Sequence, residues 1–134
     1  MPAAEMLEQI AREVSVCTKC ALHESRKKAV TGEGPADAEI MFIGEGPGFH
    51  ENEQGRPFVG ASGKFLDQLL AQAGLERSDV FIANVVKCRP PANRDPQPEE
   101  LQACNEYLEG QIKAINPSII VTLGRISMGR YVPG

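Results

Sequence analysis

Three short apolar runs stand out along the chain: AEIMFIG (Ala38–Gly44), DVFIANVV (Asp79–Val86) and SIIVTLG (Ser118–Gly124). They are rich in β-branched and aromatic residues, are nearly continuous rather than alternating, and have the length of strands buried on both faces. Before and between them the apolar period changes to that of a helix. Met6, Ile10 and Val14 line one face of a predicted helix over Pro2–Val16 that runs into Cys17. SGKFLDQLLAQAG predicts a second helix, with Phe65, Leu66, Leu69, Leu70 and Ala73 on one face, Ser62 as N-cap and Gly74 as the stop. PEELQACNEYLEGQIKAI predicts a third, with Leu101, Cys104, Leu108, Ile112 and Ile115 on its apolar face. Strand and helix alternate, which predicts an α/β fold: three layers, α/β/α, around a central, mostly parallel sheet. The Pro-rich RPPANRDPQP reads as a rigid loop within one domain over residues 1–134, and there is no repeat.

This pattern gives the glycines a place. Gly44 follows the first predicted strand, Asn84 lies within the second and Gly124 follows the third, and open α/β sheets hold ligands just outside the carboxyl ends of their strands. The stretch from Ile43 to Gly63 has five glycines before Gly63, so backbone N–H groups of Gly44 to Gly48 can approach a ligand closely. Ser62-Gly63 opens a helix whose first N–H groups can face an anion. The stretch matches neither G-x-G-x-x-G nor the phosphate-binding P-loop, so a tight turn needing glycine only for its geometry stays open.

Composition narrows the class. With 134 residues, 42% of them hydrophobic, the chain can bury one core. A net charge of −4 gives no overall basic footprint, although Arg26-Lys27-Lys28 and Lys87, Arg89 and Arg94 put positive charge locally where a phosphate backbone could use it. There is no signal-peptide pattern and no run long enough to span a bilayer, which predicts a soluble, cytoplasmic protein with no membrane partner. Four cysteines in that compartment are rarely disulfides. Cys17-Thr-Lys-Cys20 has metal-ligand spacing, and Cys88 and Cys104 flank the Pro-rich loop, so four thiolates can close one site. Zinc and a [4Fe–4S] cluster both accept four thiolates, which leaves the metal open. Cys104, beside Leu101 and Leu108, also suits a small core side chain.

GEGPG, GRPFVGASG, NVVKCRPPANRDP, IIVTLG, the segment CALHESR and the order of the cysteines together resemble the family 4 uracil-DNA glycosylases, the iron–sulfur branch of that superfamily. The resemblance runs from Cys17 to Gly124. It implies hydrolytic removal of uracil from DNA, single- or double-stranded, by a monomer whose [4Fe–4S] cluster is held by Cys17, Cys20, Cys88 and Cys104 in a structural role. It also implies roles for particular residues. Phe58 is the candidate stacking platform for an extruded base, ordinary core packing being the alternative. Asn84 can accept from uracil N3–H and donate to O4, an orientation that meets cytosine acceptor to acceptor and donor to donor. Backbone N–H groups of Gly44, Gly46 and Gly48 can cradle uracil O2. Glu45, locked between two glycines, is the carboxylate expected to stabilise the cationic sugar or position water, with Glu51 second. A solvated loop glutamate is the alternative for each, more so for Glu51 and Glu53, and His23 and His50 are expected to be solvated.

The family continues beyond the third strand into a further strand and a His-Pro-Ser type loop, so the chain is expected to be a truncated member. Two other readings stay open: a metal-stapled fragment that binds single-stranded or uracil-containing DNA without turnover, and a zinc-stapled α/β domain holding a small anionic metabolite.

Overall fold

The computed structural model describes residues 2–19, 22, 26–89 and 97–123. Helix α1 (Ala3–Ser15) precedes strand β1 (Ile40–Gly44); two helices follow, α2 (Phe49–Gln54) and α3 (Ala61–Gln72). A short 3-10 turn, Arg77–Asp79, leads into β2 (Phe81–Asn84), and α4 (Pro98–Ile115) leads into β3 (Ile119–Thr122). The strands form one parallel sheet in the order β2-β1-β3, with Gly44 opposite Asn84 in one pairing and Ile43 opposite Thr122 in the other. The predicted architecture is the observed one.

Strand alternation sorts the core into two layers. Met41, Ile43, Phe81 and Ala83 point to the side where Leu108 and Ile115 of α4 pack, with Leu7 of α1 against them. Phe42 and Ile82 point to the other side and meet Leu66 and Leu70 of α3. The β1-to-β2 crossover therefore covers one face and the β2-to-β3 crossover the other, and β1 sits centrally between them. Near-continuous apolar runs in β1 and β2 follow from this, because both faces of those strands are covered.

Helix α4 has the predicted limits. Pro98 stands in its first turn, where a missing N–H is harmless, and the Gln97 N–H donates to Glu100 Oε1 (2.7 Å). Its buried face also takes in Tyr107 and Gln111, which apolar periodicity could not mark. Helix α3 differs from expectation in two ways. It begins two residues earlier, with Gly60 at the N-cap position instead of Ser62, and of its predicted apolar face only Leu66 and Leu70 are buried while Phe65 (62%) and Leu69 (39%) face outward. A run of adjacent apolar residues spans more of the helix than the stripe that a flat sheet can cover. Helix α2, within the stretch read as loop, was not foreseen. Gly124, Arg94 and His23, and most of the Pro-rich loop, lie outside the described residues.

The outer edge of β2 is covered by an irregular segment: Glu33 and Ile82 exchange backbone hydrogen bonds of 3.0 and 2.9 Å, and the Val30 N–H donates to the Lys87 carbonyl (2.7 Å). Strand β3, expected to be buried on both faces, pairs with β1 and is only partly covered, Ile119 being 53% exposed. Among the described residues no helix is long and apolar enough to cross a membrane.

Candidate functional site

Two strands end side by side and bring the predicted residues together. Gly44 closes β1 and Asn84 closes β2, paired in register. The next two links continue the pairing into the loop, with the Val85 N–H donating to the Gly44 carbonyl (2.9 Å) and the Val86 N–H to the Glu45 carbonyl (3.1 Å). A Cβ on Gly44 would stand 2.5 Å from Phe58 Cζ and 2.6 Å from Asn84 Oδ1. The missing side chain is thus what lets an aromatic ring and a primary amide meet at the end of β1. Asn84 is 3% exposed, yet among the described residues its side-chain amide takes no hydrogen-bond partner. Among the described residues the buried side-chain atom left without a partner is Asn105 Oδ1, so the Asn84 amide keeps a path to solvent and is open to a partner from outside the chain.

Phe58 is half-buried against Phe42, Leu66, Leu70, Val80 and Ile82, so its ring belongs to the rim of the core as well as to the strand ends. Its backbone has φ +50°, a conformation unusual for a bulky residue and costing on the order of 1 kcal/mol or more. Three contacts hold it. Arg77 donates to the Phe58 carbonyl (2.8 Å) and the Pro57 carbonyl (2.8 Å). A Cβ on Gly63 would lie 1.9 Å from that same Phe58 oxygen, so only glycine fits there. Glu51 takes the N–H groups of the two following residues, Val59 (2.8 Å) and Gly60 (2.9 Å), on one carboxylate oxygen.

Glu51 is therefore not the solvated glutamate that its setting suggested: it is 7% exposed, and its other oxygen accepts the Gly48 N–H (3.0 Å). Burial pushes its carboxyl up, but the N–H donors of Gly60, Val59, Glu51 itself and Gly48 together outweigh that and hold it below the usual carboxylate range. The carboxylate is a latch between two loops. Glu45 is half-buried at the end of β1, and His50 is exposed as expected, in edge-to-face contact with Phe49. Of the three candidate glycines, Gly48 has its N–H engaged by Glu51, whereas the Gly46 N–H takes no partner among the described residues.

Three of the four cysteines line one cleft, together with Val14, Arg26, Lys87, Ala103 and Tyr107. Cys17 follows the end of α1, where its N–H closes onto the Val14 carbonyl (3.2 Å); Cys88 follows β2, and Cys104 lies on the buried face of α4. Cys20 lies outside the described residues. Among the described residues no three Cys, His, Asp or Glu side chains converge tightly enough to hold one metal ion. Arg26 crosses the cleft mouth, donating to Cys88 Sγ (3.1 Å) and to the Cys17 carbonyl (2.8 Å). Burial pushes the Tyr107 hydroxyl upward, and its side-chain hydrogen bond with Cys17 adds to the shift.

Two cations expected to serve a phosphate backbone are thus engaged inside the fold. Arg26 is committed to the cysteines, and Lys87 is 1% exposed, donating to the Asn84 carbonyl (2.9 Å) and to Gln111 Oε1 (2.7 Å). Burial pushes the Lys87 ammonium down to about 7, with the Cys104 thiolate opposing the shift. Lys27 is paired with Glu53 (2.6 Å). Sequence reading missed Arg77, Gln111 and the latch of Glu51, because their partners are distant in the chain and leave no local pattern.

Residues 31–134 match the uracil DNA glycosylase superfamily. The chain is 50% identical to the type-4 uracil-DNA glycosylase of Thermotoga maritima over 97% of its own length and 68% of the relative's. It is 58% identical to that of Sulfurisphaera tokodaii (92% and 56%) and 53% identical to that of Archaeoglobus fulgidus (92% and 62%). It spans between about half and two thirds of the length of these curated relatives. The ring, amide and glycine at the carboxyl ends of β1 and β2, and the cysteine cleft beside them, are features of a chain that belongs to the uracil DNA glycosylase superfamily, in its type-4 branch.

Proposed function

We propose that this protein excises uracil from DNA by hydrolysing the bond between the base and C1′ of its sugar, in the service of base excision repair, and that residues 1–134 act as one domain. The observation that carries this reading is the amide of Asn84, without a hydrogen-bond partner among the described residues and open at the strand ends beside Phe58 and Gly44, supported by the type-4 relatives. A base within a duplex is out of reach, so the nucleotide is extruded into the site, and contacts to the free base offset the unstacking.

Phe58 stacks on the uracil ring. Asn84 Oδ1 accepts from N3–H while its NH2 donates to O4; cytosine presents the opposite pattern on that edge and is rejected. As the glycosidic bond lengthens, negative charge collects on the leaving uracil and positive charge on the sugar. The Gly46 N–H faces the first and the Glu45 carboxylate the second, or Glu45 positions the attacking water. Glu51 acts at one remove, holding Gly48 and Val59–Gly60 in place.

The residues of the cysteine cleft fit a [4Fe–4S] cluster held by Cys17, Cys88 and Cys104, with Cys20 as the fourth ligand. Three thiols from three separate segments share that cleft, and since four thiolates would also hold zinc, the resemblance to the iron–sulfur branch is what favours the cluster. Arg26, already donating to Cys88 Sγ, suits the negative charge that thiolate ligation brings. When bound, the cluster supplies a covalent staple between the end of α1, the segment after β2 and α4.

The test is release of free uracil from an oligonucleotide carrying one deoxyuridine, run beside Asn84→Asp. Release by the wild type, with loss of rate and of uracil-over-cytosine selectivity in the variant, is expected. A wild-type protein that neither releases uracil nor prefers uracil-containing DNA would overturn the reading.

A further inference from the structure

Arg77 sits in the turn before β2, and its guanidinium makes four hydrogen bonds to other segments. Besides the two carbonyls of Pro57 and Phe58, it donates to Glu33 Oε1 (3.1 Å) and Asp67 Oδ1 (3.3 Å), with 24% of the side chain exposed. Glu33 is in turn gripped by Arg56 (3.0 and 3.1 Å) and bonded through its backbone to Ile82 of β2. Burial pushes the Glu33 carboxyl up, but the two guanidinium groups outweigh it and hold it below the usual range, so the carboxylate that orients Arg77 stays charged.

We infer that Arg77 is a positioning residue for base recognition: it holds the left-handed backbone of Phe58 by its carbonyl and so sets where the ring meets the base edge read by Asn84. The inference rests on the stacking role given to Phe58 above. Two features make Arg the fitting residue. A planar guanidinium presents several N–H groups in a fixed fork, so it can serve two successive carbonyls and two carboxylates together, which a lysine ammonium on a flexible stem cannot match. A residue at φ +50° also relaxes readily unless its surroundings hold it, and rotation about its N–Cα bond would carry the Phe58 carbonyl away from Arg77. The two ends of β2 then govern both partners of the base: Asn84 directly at one end, and Phe58 through Arg77 just before the other.

The experiment is a double-mutant cycle on binding of the intact protein to a short single-stranded oligonucleotide containing one deoxyuridine, against the same strand with deoxycytidine, whose base edge Asn84 is read as rejecting. The readout is the uracil preference, the ratio of the two affinities. Phe58→Ala should reduce it about tenfold, and Arg77→Ala about fivefold or more, with Arg77→Lys between Arg77→Ala and wild type. In the Phe58→Ala background, Arg77→Ala should change it less than twofold, because the group it acts through is gone. Asp67→Asn, which removes an ion pair of Arg77 without touching either carbonyl, should leave the preference unchanged and so controls for general stability. Fully additive losses, or an unaltered preference in Arg77→Ala while Phe58→Ala is impaired, would overturn this inference alone. A silent Phe58→Ala would overturn the stacking role and this inference with it.

Discussion

Gly44 and Asn84 stand opposite each other at the ends of adjacent strands, and a single methyl group on Gly44 would come within 2.6 Å of Asn84 Oδ1. The same methyl would touch the far end of the Phe58 ring at 2.5 Å. The Asn84 amide can rotate away but the Phe58 ring packs against the core, so Gly44→Ala should lose uracil affinity by about tenfold or more at a modest cost in melting temperature. Titration with uracil-containing DNA alongside thermal denaturation separates the two. By contrast, Gly63→Ala would drive a methyl into the Phe58 carbonyl at 1.9 Å, a backbone atom, and should destabilise the fold more.

Asn84→Asp exchanges the NH2 donor for an acceptor. Uracil release should slow, and the ratio of uracil to cytosine release should fall with it. Single-turnover assays on matched substrates give both numbers. A slower rate at unchanged selectivity would mean that Asn84 does not read the base edge.

The two glutamates should fail differently. Glu45→Gln keeps shape but removes charge, so binding should persist while bond breaking slows by roughly 10²-fold. Glu51→Gln should act on loop order and stability. Because the folded carboxyl lies below its usual value of 4.5, its stabilising contribution is fully present at neutral pH and is lost as pH falls below about 4.5 through the folded value. The stability gap between wild type and Glu51→Gln should therefore be widest near neutrality and close on acidification, as read from melting temperatures across pH. If Glu45→Gln left the rate within about twofold while Glu51→Gln abolished it at unchanged stability, the catalytic carboxylate would be Glu51.

Protein purified without oxygen should be brown, with broad visible absorbance. Cys88→Ser should lose both colour and solubility, because one open ligand position weakens the staple joining α1, the segment after β2 and α4. Metal analysis decides the case, and a colourless folded protein with stoichiometric zinc would remove the cluster.

Much of this protein is written locally. Near-continuous apolar runs mark β1 and β2, since strands covered on both faces need apolar residues at every position, and the helical stripe with Pro98 at its start marks α4 to the residue. Motif and residue type picked out Phe58, Asn84, Glu45 and the cysteines as candidates, and the fold brings Phe58 and Asn84 to the end of β1 and three of the cysteines to one cleft. What the tertiary structure decided is which charges are used up and what holds the site in shape. Lys87 and Arg26 look in sequence like phosphate ligands, and the fold turns them inward to the Asn84 carbonyl and the Cys88 sulfur. Glu51 looks solvated and becomes a latch, Leu69 and Phe65 look buried and face out, and Arg77 carries no signal until the chain brings it to Phe58 from 19 residues away. Periodicity and propensity report on neighbours within a turn or a pleat; pairing between buried polar groups depends on which distant segments the closed sheet brings within hydrogen-bond reach, and only folding fixes that.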